Sequence, residues 1–141
     1  MNIQELEQRL FEEGCNSSLY AIGARGGASD AFCLAHDGEK WCIYYTERGQ
    51  DDAPIFVSND ENDVCQFFFQ KIMSMRHSHC VGFFRSQERA KCLCKDLEQQ
   101  GLNASTDKIP YHVDEPRYRV FVVGKDIFQA RELLGEVPVY D

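Results

Sequence analysis

The sequence predicts an α+β fold made of two small packed α/β units, an N-terminal α-β-β-β-β-α unit over residues 1–76 and a C-terminal ferredoxin-like β-α-β-β-α unit over residues 77–141. Three observations predict it. With 43% apolar residues in 141, the chain is long and apolar enough to build a core. Apolar residues switch between helical and alternating spacing along each half. The charge is also unevenly shared: residues 1–76 hold 13 Asp and Glu against 6 Lys and Arg, net −7, whereas residues 77–141 hold 10 against 9, net −1.

In the first half, Ile3, Leu6, Leu10 and Phe11 recur at helical spacing over 2–13, and Gly14 stands where that helix should stop. Strand-like runs follow at Leu19–Ile22, Ala31–Ala35, Lys40–Thr46 and Ile55–Val57. His36-Asp37-Gly38-Glu39 joins the second and third, because Asp-Gly supplies the positive φ angles of a tight hairpin turn. The third run places Trp41, Ile43 and Tyr45 on one face and Cys42 and Tyr44 on the other, which predicts a central strand. Ser58-Asn59-Asp60-Glu61 then supplies a side-chain cap and an acidic first turn for a helix carrying Val64, Phe67, Phe68, Ile72 and Met75.

In the second half, Cys80–Phe84 reads as a strand. Ser86 caps a helix with Ala90, Leu93, Cys94 and Leu97 inward, and Gly101 ends it. Leu102–Ser105 and Arg117–Val123 read as strands around a polar loop containing Pro110 and Pro116. Gly124-Lys125-Asp126 opens a last helix through Leu134, and Val137–Tyr140 offers an edge strand. Two helices on one antiparallel sheet close such an order. No internal repeat or low-complexity segment interrupts either half.

Several function classes are disfavoured. The opening residues carry Glu5, Glu7 and Glu12 without a basic region or an apolar stretch, so no secretory signal is expected. No run approaches the roughly 20 apolar residues of a membrane helix. Seven cysteines, an odd set without regular spacing, fit a reducing cytosol better than a disulfide framework. His77, His79, Cys80, Cys92 and Cys94 have the ligand mixture zinc accepts, but Cys92 and Cys94 diverge by about 200° on a helix, so no metal site is expected. Cys33, Cys42 and Cys65 read as core, and His36 and His112 stand isolated, so no thiol catalysis or other enzymatic site is assigned. Ala24-Arg25-Gly26-Gly27-Ala28-Ser29 lacks the Gly-Lys-Ser/Thr ending of a phosphate loop and reads as a loop between strands, able to contact a partner.

What remains is an acidic surface. An acidic half repels phosphate and suits a basic protein, whose approach it speeds and orients. Glu47, Asp51, Asp52, Asp60, Glu61 and Asp63 gather around the loop after the Trp41 strand and the next helix start. The last three have a local role against the helix dipole. The candidate binding residues are therefore Asp37, Glu47, Asp51 and Asp52, with Tyr44 or Tyr45 as an aromatic anchor; either tyrosine reads equally as core.

Trp41-Cys42-Ile43-Tyr44-Tyr45-Thr46-Glu47-Arg48-Gly49, followed by a polar loop, Ile55-Phe56-Val57 and the acidic-capped Phe-rich helix, resembles the immunity proteins of bacterial polymorphic-toxin and contact-dependent growth inhibition systems, over residues 1–76. The resemblance implies a cytoplasmic, stoichiometric inhibitor of a cognate toxin domain, a basic nuclease and an RNase before a DNase, with no cofactor, no turnover, no direct nucleic-acid contact and no membrane attachment. Val81-Gly82-Phe83-Phe84, the helix with Ala90 and Leu97, and Tyr118-Arg119-Val120-Phe121-Val122-Val123-Gly124 before a helix with Ala130 resemble a SPOR-type module. That second resemblance implies, as the alternative, a glycan- or peptide-binding regulatory module.

Overall fold

The computed structural model describes residues 1–23 and 30–141, so the glycine-rich segment 24–29, read above as a partner-contacting loop, lies outside the described residues. The fold is α+β, with two mixed sheets. The chain divides into two compact units, Met1–Met75 and Arg76–Asp141. With Arg76 in the second, the first holds 13 acidic against 5 basic residues and the second 10 against 10, so the whole net charge of −8 resides in the first unit. Among the described residues no helix is long and apolar enough to cross a membrane.

Helix α1 (Ile3–Glu12) starts at Asn2, whose side chain accepts from the Glu5 N–H, and the backbone beyond it turns at Gly14 with φ 72°. A 3₁₀ turn (Ser17–Leu19) precedes β1 (Tyr20–Ile22), which pairs in parallel with β2 (Ala31–Asp37). Strand β3 (Lys40–Glu47) pairs with β2 on one side and, along its other edge, with both β4 (Gln50–Asp51) and β5 (Phe56–Ser58). It is the central strand its large side chains on both faces predict. In the β2–β3 turn Asp37 pairs with Lys40, and only Gly38 takes positive φ, 64°. Glycine at the first central position is the type II′ pattern, so Asp37 ends the strand instead of shaping the turn. Helix α2 (Glu61–Met73) is capped by Asp60, whose carboxylate accepts from the N–H groups of Asn62 and Asp63. Leu6, Leu10, Leu34, Ile43, Val64, Phe68 and Ile72 form one fully buried cluster between α1, α2 and this face of the sheet.

In the second unit β6 (Ser78–Phe84) leads into α3 (Gln87–Gln99), whose start is capped by the Ser86 hydroxyl accepting from the Arg89 N–H. Strands β7 (Ala104–His112) and β8 (Glu115–Val123) follow, then α4 (Asp126–Leu134) and β9 (Val139–Tyr140). The sheet order is β7-β8-β6-β9, the ferredoxin-like order. Two features differ from expectation. The segment around Pro110 and Pro116 is not a loop, because β7 and β8 form one long antiparallel hairpin that turns at Val113-Asp114. Between Ile109 and His112 the register shifts, so Pro110 and Tyr111 face the single Pro116. The bulge on the edge strand β7 tolerates Pro110, which lacks a ladder N–H, and Pro116 precedes the stretch of β8 that β6 pairs. The sheet is also not wholly antiparallel, since Val139 and Tyr140 lie beside Gly82 and Phe83 running parallel to β6.

Helices α3 and α4 bury one face of this sheet through Val81, Phe84, Ala90, Leu97, Val120, Val122, Ile127 and Ala130. A bulge between Cys80 and Gly82 turns Val81 and Gly82 toward α3. Gly82 is required there, because a Cβ would stand 2.6 Å from Phe84 Cε2 and 2.9 Å from Leu93 Cδ2.

Candidate functional site

The acidic candidates separate onto the two ends of the β2–β3 hairpin. The Tyr45 end is built by the β3–β4 turn, in which Glu47 pairs with Gln50 and Arg48 and Gly49 both take positive φ, 51° and 79°. Two successive positive φ angles make the tight reversal that the strand twist favours, which explains glycine at 49. The reversal projects Glu47 and Asp51, both exposed, from adjacent strand ends. Asp52 follows, exposed, with its backbone N–H donating to the Tyr45 carbonyl at 2.8 Å. Ile55 donates likewise to Ile43 at 2.8 Å and brings the chain back to β3 as β5.

Tyr45 stands at the centre of this end. Its ring is half-buried and lies across the strand from Phe32, with centroids 4.9 Å apart, while Lys71 of α2 sits 4.7 Å over the Phe32 ring. Partial burial, and then the carboxylates of Glu47, Asp30 and Asp52, push the Tyr45 hydroxyl above its ordinary range. The hydroxyl therefore stays protonated at neutral pH, a donor set among carboxylates. Asp30 was not among the sequence candidates. The Ala31–Thr46 pairing sets it level with Glu47, and its placement just before a strand was the signal available. Ile55 and Val57 are also exposed, but β5 pairs Val57 with Cys42, so both project from the face opposite Tyr45 and stand outside this group.

Two candidates fall outside this group. Asp37 lies at the opposite end of the hairpin, beside Lys40, where its carboxylate accepts from the Cys42 thiol at 3.4 Å. The strand between places it roughly 20 Å from Glu47. Tyr44 is 2% exposed and belongs to a buried cluster with Cys33, Ala35 and Cys42, so it is core and not a surface anchor. Side-chain alternation explains the contrast, since Tyr45 points to the other face at the strand end. Asp60, Glu61 and Asp63 sit at the Asp37 end, where Asp60 caps α2 and Glu61 accepts from the Ile3 N–H at 3.0 Å.

Among the described residues no group of His, Cys, Asp and Glu is arranged to hold a metal ion. Cys92 is exposed, whereas Cys94 is buried and donates to Glu98 at 3.2 Å, so the two point apart as the helix requires. Burial pushes the thiols of Cys15, Cys65 and Cys94 up to about 11, which keeps them protonated at neutral pH.

Compared with family models, curated proteins and solved structures, the chain matches none.

The Tyr45 end thus offers an aromatic ring with a hydroxyl donor and three neighbouring carboxylates. Like charges held together by the backbone repel one another, and a cationic partner relieves that repulsion.

Proposed function

We propose that this protein is an immunity protein that neutralises a cognate bacterial toxin domain by stoichiometric binding in the cytoplasm. The toxin we infer is a basic nuclease, an RNase before a DNase, and no cofactor or turnover is involved. The observation that carries the reading is Tyr45 surrounded by Asp30, Glu47 and Asp52 in the unit that bears the entire net negative charge. A nuclease is basic where it holds nucleic acid, so an acidic surface with an aromatic anchor complements that site and competes with phosphate there. Asp51 adds a further exposed carboxylate at the same turn, but its pairing with Thr46 sets it on the other face of the sheet from Tyr45. The test is to purify the toxin domain encoded by the neighbouring upstream gene, measure its nuclease activity, and titrate in this protein. The reading expects activity to fall to zero at a fixed molar ratio. Full activity at excess protein would overturn it.

A second reading rests on the resemblance of residues 81–124 to a SPOR-type glycan- or peptide-binding module, and the ferredoxin-like β7-β8-β6-β9 order is the fold expected for that half. Co-sedimentation of the protein with cell-wall glycan strands tests it, and no co-sedimentation would remove it.

A further inference from the structure

The face of the second unit's sheet turned away from α3 and α4 is not polar, as a solvated face should be. Phe83 of β6 lies at its centre, with Tyr111 of β7 at 5.7 Å and Tyr140 of β9 at 6.0 Å, both edge-on. Tyr111 is 52% and Tyr140 63% exposed, so large rings stand open to solvent where nothing in the unit's core requires them. Two guanidinium groups interleave with the rings. Arg117 lies 4.3 Å over Tyr111, and Arg119 lies 4.9 Å over Phe121. Asp107 grips Arg119 through two bonds, at 2.9 and 2.5 Å, which neutralises its charge and fixes its plane against the ring. Arg117 bonds only backbone carbonyls, those of Glu115 and Pro116, and has no carboxylate partner among the described residues. The nearby Asp141 carboxylate is held by the backbone N–H groups of Arg85 and Ser86.

We propose that this Phe83–Tyr111–Tyr140 face, with Arg117, binds single-stranded nucleic acid. Rings about 6 Å apart on an open sheet provide successive stacking platforms, and unstacked bases present a π-face whatever their identity. The Arg117 guanidinium, which has no carboxylate partner among the described residues, has N–H groups left beside the rings to meet the phosphate between two bases. The first unit repels phosphate, whereas the second, with equal numbers of acidic and basic residues, does not, so this face is the one that such a ligand can approach. A duplex, whose bases are already stacked, gains nothing from the rings. The proposal stands apart from toxin neutralisation and survives or fails without it.

The test is fluorescence anisotropy of the full chain with labelled oligouridylate and oligothymidylate of about eight nucleotides. Both wild-type arms are expected to bind with shallow salt dependence, a slope near −0.7 per phosphate contacted. A preference for one sugar identifies RNA or DNA as the natural source. Tyr111→Ala combined with Tyr140→Ala should weaken binding by about tenfold per ring, and Arg117→Glu by a similar factor. These side chains are surface groups, and Phe11→Ala on the exposed side of α1 serves as the control expected to change nothing. No anisotropy change at about 0.1 mM protein, equal affinity in the double tyrosine variant, or tighter binding to duplex than to single strands would overturn the proposal. So would binding to cell-wall glycan strands that the tyrosine substitutions abolish while oligonucleotide binding is absent.

Discussion

Replacing Glu47 and Asp52 together by lysine separates the acidic-surface account from a merely shape-driven contact. Both side chains are exposed and neither forms an ion pair within the described residues, so the substitutions leave the fold intact. Two unit charges 4 Å apart attract by about 1 kcal/mol in water, and reversing one turns that attraction into equal repulsion, a change of about 2 kcal/mol per site. At 0.15 M salt, with a screening length of about 8 Å, roughly 60% of this survives. Two sites then lose about 2.4 kcal/mol, a Kd about 50-fold weaker. At 0.01 M salt, where the screening length is about 30 Å, the loss rises to about 300-fold. Isothermal titration against a catalytically inactivated toxin domain, at low and physiological salt, measures both ratios. A mutant-to-wild-type ratio that is the same at the two salt concentrations, or stays below about threefold, would refute the reasoning.

Other predictions concern the supports of the two units. Gly82→Ala should destabilise the second unit by about 1–3 kcal/mol, read by urea unfolding, since Phe84 and Leu93 must give way to the new Cβ. Arg48→Asn should stabilise the first unit by up to about 1 kcal/mol, because asparagine tolerates the left-handed conformation at φ 51° better than arginine; unchanged unfolding would show that the turn is not strained. The backbone N–H of Arg85, and then that of Ser86, holds the Asp141 carboxyl below its ordinary value. A depressed carboxyl pKa adds stability that is complete above the unfolded-state value of 3.8 and is lost as pH falls through the folded-state value. Asp141→Asn should therefore lower the melting temperature at pH 7 and cease to do so at low pH, as a pair of thermal scans would show.

Local signals carried most of the architecture. Asp60 and Ser86 cap the helices that follow them, and Gly14 and Gly101 adopt positive φ beyond the helix ends, because capping and handedness depend on a few adjacent atoms. What was not legible is set by pairing across the chain. Polar β7 residues such as Thr106 and Lys108 have no apolar alternation, and only their partners on β8 make them a strand. The parallel approach of β9 depends on where α4 delivers the chain, which two residues of strand cannot announce. The site follows the same division. Glu47, Asp51 and Asp52 belong to one contiguous turn, so their closeness is legible in the sequence, whereas the face that each takes depends on the strand pairing. Asp30 joins them only through the β2–β3 register, and Asp37 is removed to the other end by that same register. Tyr44 and Tyr45 are indistinguishable by composition, and only the side of the sheet that each faces separates core from surface.

The most direct test of the central claim is survival of cells in which the toxin domain of the neighbouring upstream gene is induced, alone, with this protein, or with its Glu47→Lys, Asp52→Lys variant. The account predicts death without the protein, survival with it, and loss of protection with the variant at equal expression. Death despite the wild-type protein, or a domain harmless on its own, would contradict it.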